Sequence, residues 1–296
     1  MRTRTHNRPL RGRTVVVTGA ARGVGAALAR AFDDRGARLA LLGLEGERLR
    51  EVAATLRNES ACWEVDVTDD AAMADTARQV RTRLGPVSVV VGNAGVAEAG
   101  PFADSDPRVW RRVIEVNLIG SAATARCFLP DLLDTRGYYL QVASLAAMGT
   151  SPLMSAYCAS KAGVEAFAHA LRAELAHRGV AVGIAYINWT DTDMIRDGEH
   201  HVALRELRAH MPAPARKVYP APQVADRLAA AAERRRSSVY VPAWLRAVQP
   251  VRAGLPPVVT RIARTELPRL ERAARLGATG LLGAGGRADE RYRHHP

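Results

Sequence analysis

Short apolar runs alternate with amphipathic stretches along most of this chain. The runs are rich in β-branched and aliphatic residues, and they predict strands near 13–18, 38–43, 61–65, 87–92, 138–143, 180–186 and 238–241. Helical periodicity fills the intervals and is longest near 107–134 and 155–178. Because strands that alternate with helices pair in parallel through right-handed crossovers, we expect an α/β fold. It would be a doubly wound parallel sheet of about seven strands with helices on both faces.

The same pattern divides the 296 residues into three parts. Residues 11–242 are expected to form one domain, since a hydrophobic fraction of 48% suffices for a large core. A basic, flexible N-terminus would precede this domain over 1–10, and a C-terminal helical extension would follow it over 243–296. The two extremes, 1–8 and 283–296, are expected to be disordered.

A glycine-rich turn follows the first predicted strand. Strand 13–18 runs into Gly19, Gly23 and Gly25, and the helical run 26–32 comes next. Glycines allow the tight turn and let the backbone approach a pyrophosphate, which the positive end of the helix attracts. With the strand and the helix both in place, the pattern predicts a dinucleotide-binding unit.

A second pattern places Tyr157 four residues before Lys161. Residues four apart share one face of a helix, so the ammonium would lie beside the phenol. A neighbouring cation stabilises the phenolate, and we expect it to lower the pKa of Tyr157 from about 10 toward the working pH. Such a phenol can exchange a proton with an alcohol or carbonyl oxygen, although pairs of this kind also arise on solvated helices.

The glycine turn and the Tyr-x-x-x-Lys pair, in this order, resemble the short-chain dehydrogenase/reductase (SDR) family over about Arg11 to Pro242. Further positions that fit the resemblance are Asp66, Asn93-Ala94-Gly95, Asn117 and Ser144. The resemblance implies a Rossmann fold and an NAD(P)-dependent oxidoreductase. Such an enzyme transfers a hydride between nicotinamide and a carbonyl compound or secondary alcohol, and members of the family usually form homodimers or homotetramers through the two long helices.

The resemblance also implies a catalytic tetrad. Ser144 would hydrogen-bond the substrate oxygen, and Tyr157 would act as general acid or base. Lys161 would lower the Tyr pKa and bind the nicotinamide ribose, while Asn117 would position water in a proton relay. The residues implied to bind the cofactor are Thr18, Gly19, Arg22, Gly23, Val24, Gly25, Gly43, Leu44, Asp66, Val67, Asn93, Ala94, Gly95, Tyr157, Lys161 and Thr192.

The choice of cofactor depends on the end of the second strand. Gly43 stands where NAD-preferring members of the family carry Asp, and Leu44 where many NADP-preferring members carry Arg. Arg22 matches a basic position that pairs with the 2′-phosphate of NADP. Glu45 could instead reach the ribose hydroxyl. The balance slightly favours NADP(H) over NAD(H).

The segment after the sixth strand departs from the family. Ile187 and Asn188 replace a Pro-Gly pair, whereas Thr192 keeps the position that contacts the carboxamide. Asn tolerates left-handed backbone, so the turn could survive the replacement.

A lid region near 200–219 follows. Its apolar residues are expected to form a pocket wall for a lipid-, steroid- or polyketide-like carbonyl compound, or else to pack on the domain: Leu204, Leu207, Met211 and Val218.

Charge is distributed unevenly. The net charge is +12: residues 1–13 carry +5, residues 14–200 carry −4 and residues 201–296 carry +11. An apolar stripe from Trp244 to Leu267, interleaved with Arg, could pack on the domain, close the substrate pocket or contact a membrane surface. The alternatives to a soluble enzyme are therefore a membrane-surface SDR acting on lipids and a catalytically retired nucleotide-binding scaffold.

Other features narrow the class of protein. The three cysteines are widely spaced, which predicts reduced thiols in a cytoplasmic protein and no metal site. We find no nucleic-acid-binding motif, no secretory signal and no apolar run that could span a membrane, so we expect no nucleic-acid partner. The expected partners are a small-molecule substrate and further copies of the chain.

Overall fold

The structure, a computed structural model, describes residues 9–209, 211–273 and 276–294. Within these residues seven strands form one parallel sheet in the order β3-β2-β1-β4-β5-β6-β9, and β7 pairs with β8 in a small second sheet. This confirms the doubly wound parallel sheet. The strands are β1 Thr14–Thr18, β2 Arg38–Gly43, β3 Ser60–Glu64, β4 Val87–Gly92, β5 Tyr138–Ser144, β6 Ala181–Ile187, β7 Thr190–Asp191, β8 Tyr219–Pro220 and β9 Ser238–Val241.

The helices cover both faces of the sheet and continue beyond its last strand. They are α1 Gly23–Asp33, α2 Gly46–Ala54, α3 Asp70–Leu84, α4 Pro107–Ile114, α5 Gly120–Thr135, α6 Ser155–Leu175, α7 Asp193–His200, α8 Val202–Ala209, α9 Ala213–Arg216, α10 Ala221–Glu233, α11 Leu245–Val248, α12 Leu255–Ala273 and α13 Gly283–His294.

The core consists of two apolar layers, one on each face of the sheet. Val15 and Val17 of β1 pack with α1, α2 and α10, whereas Val16 faces α3, α5 and α6. Period-two alternation along the strand sends neighbouring side chains to opposite faces. Because helices cover both faces, the strand is buried throughout and its three central residues are Val. Each fully buried Val contributes roughly 1.5–3 kcal/mol.

The functional cleft follows from the strand order. The chain winds outward from β1 through β2 to β3, and then returns to β4 on the other side of β1. Helices that follow β1 and β4 therefore lie on opposite faces and leave a crevice at the carboxyl ends of these two strands. The glycine turn after β1 and the Asn93-Ala94-Gly95 segment after β4 meet there.

The predicted helix 107–134 contains a local irregularity. Asp106 accepts a hydrogen bond from the backbone N–H of Arg108, and Pro107 occupies the first turn, so the start of α4 is well defined. Between α4 and α5 the backbone widens to a π turn over Glu115–Ile119. Such turns occur often at functional sites, and this one carries Asn117.

The C-terminal extension is helical, as expected, but its end is more ordered than the sequence indicates. Residues 283–294, which were expected to be disordered, form α13, and the side chain of Asp289 is fully buried. Burial against the domain compensates for a polar, glycine-rich sequence. The expectation of disorder over 1–8 falls outside the described residues. None of the helices within the described ranges is long and apolar enough to cross a membrane.

Candidate active site

The glycine turn brings the backbone of α1 against the end of the sheet. Gly19 and Gly23 adopt positive φ angles of 64° and 53°. A Cβ on Gly25 would lie 2.0 Å from the carbonyl oxygen of Gly19, and one on Gly19 would lie 2.9 Å from Ala94 Cα. The first turn of α1 contains no acidic residue, and Arg22 at its N-cap makes no side-chain cap. The backbone N–H groups at the start of α1 therefore have no side-chain cap, and together with the open glycine turn they fit a dinucleotide pyrophosphate.

Thr18, the last residue of β1, joins the glycine turn to the segment that follows the parallel strand β4. Its Oγ1 accepts hydrogen bonds of 3.0 Å from the backbone N–H groups of Asn93 and Ala94. Asn93 in turn donates from Nδ2 to the Thr18 carbonyl oxygen at 2.9 Å. These residues, which the sequence assigns to cofactor binding, hold the two edges of the crevice at a fixed separation.

Asn117, on the π turn, is fully buried against the loop that follows β4. Its Oδ1 accepts from the backbone N–H of Val96 at 2.8 Å, and its Nδ2 donates to Val96 O and to Ser160 Oγ, both at 2.9 Å. The side chain thus fixes the loop that follows β4 against α6. The water-relay role that the resemblance implies for Asn117 remains a prediction.

Ser144, Tyr157 and Lys161 converge at the carboxyl end of β5. The hydroxyl of Tyr157 is hydrogen-bonded to Ser144. Lys161 lies one turn further along α6, with Nζ 5.6 Å from the centre of the Tyr157 ring and 3.3 Å from the carbonyl oxygen of Val142, to which it donates. A phenol, a hydroxyl and an ammonium therefore surround one small volume at the floor of the cleft.

This volume opens into a continuous cavity of about 870 Å³. One side contains the glycine turn and the end of β5, and the opposite side is formed by the lid and by α12. Leu204 and Met211 of the lid line the cavity, whereas Val218 does not. The side chain of Leu207 lies outside the described residues. The C-terminal residues that line it are apolar almost throughout: Trp244, Ala247, Val248, Val251, Leu255, Val258, Val259, Ile262, Ala263, Leu267 and Leu270.

Comparison with known proteins agrees with this geometry. A model of the short chain dehydrogenase family matches residues 13–202. A short chain dehydrogenase of Pseudocercospora fijiensis is 31% identical over 220 residues, which cover 70% of this chain and 71% of that protein. Dehydrogenase/reductase SDR family member 7B of Bos taurus is 31% identical over 247 residues, covering 78% of this chain and 74% of the relative.

The chain belongs to the short-chain dehydrogenase/reductase family. A crystal structure of a short-chain type dehydrogenase/reductase from Mycobacterium marinum shares the fold, with a TM-score of 0.71 at 23% identity, over 78% of this chain and 94% of that one. Membership in the SDR family makes the protein an oxidoreductase that uses an NAD(P) cofactor and a small-molecule substrate.

The electrostatics of this SDR site differ from the sequence prediction. Burial raises the pKa of Tyr157 to about 12, and the hydrogen bond with Ser144 opposes that rise. The sequence predicts a pKa of Tyr157 below about 10, whereas in the folded chain the net shift has the opposite direction. The contribution expected from Lys161 stays a prediction. The physical reason is desolvation, which acts on both groups and also lowers the pKa of Lys161 to about 8.

The two residues proposed to select the cofactor bind each other. Arg22 donates from Nε to Glu45 at 2.7 Å and makes a second hydrogen bond to the same carboxylate through Nη2. Its Nη1 donates to Asp193 at 2.7 Å. These bonds, first that to Glu45, hold the pKa of Arg22 above its ordinary value. Neither Arg22 nor Glu45 is therefore unpaired and available to select the cofactor by itself. Asp193 is a third member of this ion-pair network, and no sequence pattern indicated it.

Asp66 also has partners of its own. Its Oδ1 accepts from the N–H and the hydroxyl of Thr68, and its Oδ2 accepts from Arg112. Burial raises the pKa of Asp66, but these bonds outweigh it and hold the pKa below the ordinary value. Arg112 donates as well to Asp289 in α13. The pairing of Arg112 with Asp289 could not be predicted from a local sequence motif, because the two residues are 177 positions apart in the chain.

The unusual turn at Ile187 and Asn188 is stabilised by a side chain rather than by left-handed backbone. Among the described residues that are not glycine, those with positive φ are Arg136, Leu153 and Arg235, so Asn188 does not adopt that conformation. Its Nδ2 donates instead to the carbonyl oxygen of Ala215 at 2.9 Å. The turn still brings Thr192 to the crevice, where its Cγ2 would lie 3.0 Å from a Cβ on Gly23.

Metal chemistry has no visible ligand set here. Across the described ranges, no three His, Cys, Asp or Glu side chains form a group that could hold a metal ion. Cys158, which neighbours Tyr157, packs with Met154 and Leu204 in a small apolar cluster, and burial raises the pKa of its thiol.

Proposed function

We propose that this SDR interconverts a carbonyl group and a secondary alcohol on an apolar substrate, with NADP(H) as the preferred cofactor. The observation that carries the proposal is the convergence of Ser144, Tyr157 and Lys161 at the floor of a cavity with apolar walls. A site of this kind binds an apolar body and directs a single polar group at its reacting end.

The protein residues act on the oxygen of the substrate. The hydroxyl of Ser144 donates a hydrogen bond to this oxygen and stabilises the negative charge that develops on it. Tyr157 donates a proton to the oxygen during reduction and accepts one during alcohol oxidation. With a pKa near 12 the phenol is protonated at neutral pH, which suits reduction. A bound nicotinamide cofactor supplies or accepts the hydride.

The residues of the lid and α12 support an apolar substrate. Leu204 faces the cavity from α8, and Val259 and Leu270 face it from the two halves of α12. An extended hydrocarbon would therefore lose its contact with water along most of its length. The indole N–H of Trp244 is buried and has no partner among the described residues.

The charges beside Arg22 support NADP(H). Since Arg22 binds Glu45, the carboxylate that would repel a 2′-phosphate is already compensated. An open cleft adjoins Arg22 on the outer side, and its lining contains more arginines than acids: Arg22, Arg30, Arg48, Arg196 and Arg287 against Glu51, Asp193 and Asp197. A 2′-phosphate would meet a net positive surface there.

A binding titration is the first test. The purified protein would be titrated with NADPH and NADH, following nicotinamide fluorescence, together with Arg22→Ala and Glu45→Gln. We expect NADPH to bind about tenfold more tightly than NADH, Arg22→Ala to abolish the difference and Glu45→Gln to increase it. Equal binding of the two cofactors by all three proteins would contradict the assignment of NADP(H).

Turnover is tested separately. With the preferred cofactor, a series of aldehydes and ketones of increasing chain length should be reduced, with kcat/KM rising by about tenfold for every two methylenes that enter the cavity. Cofactor binding without turnover of any carbonyl or alcohol would favour a retired scaffold. Failure to bind either cofactor would overturn the enzyme proposal altogether.

A second candidate function is that of a membrane-surface enzyme acting on lipids. Val251, Val258 and Ile262 border the cavity and yet are 60%, 55% and 49% exposed, and arginines at 252, 261 and 264 flank them. Such a surface suits an anionic bilayer. Sedimentation with anionic vesicles should pull down the wild type, and Val258→Ser/Ile262→Ser should remain in solution. Equal sedimentation of both would remove this candidate.

We also propose that the protein forms a homo-oligomer through the helices on either side of the π turn. Ile119, at the exposed end of the π turn between α4 and α5, is 52% exposed on the helices through which members of the family pair. We expect a homodimer or homotetramer in light scattering, and a monomer for Ile119→Arg. A monomeric wild type would contradict this expectation.

A further inference from the structure

The last helix, α13, lies against the cofactor cleft rather than on a remote surface. Gly285, Gly286, Ala288 and Asp289 line the same cavity as the glycine turn after β1 and the Asp66-Val67 segment after β3. A Cβ on Gly285 would lie 3.8 Å from Cδ of Arg22. The adenosine half of a dinucleotide, which the crevice at this side of β1 accommodates, therefore has α13 as its outer boundary.

A buried ion pair holds this helix in place. Arg112 and Asp289 are 4% and 1% exposed. Nε of Arg112 donates to both carboxylate oxygens of Asp289 at 3.0 Å, and Nη2 donates to Oδ1 at 2.6 Å. The same guanidinium donates to Asp66, which lines the cleft, and to Oγ1 of Thr68, which follows two residues later. One arginine thus links α13 directly to the adenosine side of the site.

The segment before α13 is attached by backbone pairing. Thr279 and Leu282 donate from their N–H groups to the carbonyl oxygens of Ala99 and Ala97, both at 2.8 Å. Gly283 then donates from its N–H to Asp197 Oδ2 at 2.8 Å. These bonds anchor residues 279–283 beside α7, the helix that precedes the lid. Among the contacts described, two polar contacts attach the helix beyond Gly283. They are the Arg112–Asp289 pair and a 3.3 Å contact of the exposed Arg287 with Asp197.

The sequence of α13 makes the helix dependent on these contacts. Its first turn reads Gly-Ala-Gly-Gly, and glycine is among the residues least favourable to a helix interior because it loses the most backbone entropy. A helix of 12 residues with such a start is not stable alone. It is therefore suited to release from the domain when its buried attachment breaks.

We propose that α13 is a built-in cover of the adenosine half of the cofactor cleft and that the Arg112–Asp289 pair is its latch. The cofactor enters and leaves when the helix releases, and a closed cover retains it between turnovers. The inference rests on the proposed function, since it takes the cleft to bind NAD(P). It adds Asp289 and the glycines of α13 to the cofactor site and makes Arg112 a positioning residue.

The matched variants are Asp289→Asn and Glu290→Gln, which remove the same charge from neighbouring positions of one helix. Glu290 is exposed, whereas Asp289 faces Arg112. In Asp289→Asn, Arg112 keeps Asp66 and Thr68 as partners, so the domain is expected to fold. NADPH dissociation would be followed by fluorescence after mixing with excess competing nucleotide. Hydrogen exchange over 283–294 would be measured with and without NADPH.

We expect NADPH to leave Asp289→Asn about tenfold faster than it leaves the wild type, and Glu290→Gln to stay within about twofold of the wild type. Exchange in α13 should be slowed by NADPH in the wild type and accelerated in cofactor-free Asp289→Asn. Equal dissociation rates for the two variants, or exchange in α13 that NADPH does not alter, would overturn the cover. If the wild type binds neither NADPH nor NADH, the proposed function fails, whereas exchange in the cofactor-free variants still tests the latch.

Discussion

The two walls of the cleft are built in different ways. The inner wall consists of strand ends and the turns that follow them, held by short hydrogen bonds such as those of Thr18 with Asn93 and Ala94. The outer wall consists of the lid, α12 and α13, which come from the last third of the chain. The inner wall carries every residue proposed to touch the reacting atoms, and the outer wall carries most of the apolar surface.

This difference separates chemistry from access. A proton donor must be held within a fraction of an ångström, and a parallel sheet covered on both faces supplies that rigidity. Access to the site requires movement, and an element at the chain end that is held by a small number of attachments can move without unfolding the core. We therefore expect substitutions in the inner wall to affect rate and stability, and substitutions in the outer wall to affect affinity and exchange.

The largest effect is expected at Tyr157. Replacing it with Phe removes the proton donor and keeps the ring, so turnover should fall by about a thousandfold while the affinity for cofactor changes little. Initial rates and fluorescence titration measure the two quantities. The matched control is Tyr240→Phe, at a ring that stacks on Tyr186 away from the site. Near-normal turnover of Tyr157→Phe would refute the mechanism.

The next effect concerns Lys161 and the pH dependence of stability. Burial lowers its pKa from 10.5 to about 8, so between these values the folded chain has released a proton that the unfolded chain retains. Stability therefore rises with pH in this window, by about 3 kcal/mol for this residue. Urea unfolding of the wild type and of Lys161→Met, at pH values below and above the window, isolates the contribution. Parallel changes in the two proteins would exclude it.

A smaller effect is expected at the outer wall. Val259 faces the cavity from α12, and Val259→Trp narrows it. The KM of a long-chain carbonyl substrate should rise about tenfold, with kcat for a short one and the affinity for cofactor unchanged. Thr260→Trp, one residue further along and exposed, is the control. If both variants behave alike, α12 does not bound the substrate site.

The smallest effect is expected for stability at the outer face of α12. Val258 and Ile262 are about half exposed, so Val258→Ser/Ile262→Ser should change the free energy of unfolding by no more than about 0.5 kcal/mol. Thermal unfolding checks this, and it shows whether the vesicle experiment compares two folded proteins. A loss of several times that value would mean that this face is packed in solution, for example in an oligomer.

Local patterns in the sequence were sufficient for the sheet and for much of the inner wall. Apolar runs located the seven strands of the main sheet to within one or two residues. The signal is strongest in inner strands such as β1 and β4, because burial on both faces makes them continuously apolar at their centres. The glycine spacing and the four-residue interval from Tyr157 to Lys161 predicted the two parts of the candidate site, because each pattern lies within a few residues of the chain. The small sheet of β7 and β8 escaped prediction, since two-residue strands carry no periodicity.

The sequence by itself determined the fold, the cofactor crevice and the phenol–ammonium pair, because each depends on residues that are close in the chain. Only the tertiary structure decided how the charges are used. Arg22 and Glu45, which from the sequence were expected to favour different cofactors, form one ion pair. Arg112 pairs with Asp289, which lies 177 residues further along the chain. Tertiary burial also reversed the expected shift of the Tyr157 pKa. Desolvation and long-range pairing depend on which surfaces meet, and no local pattern encodes that.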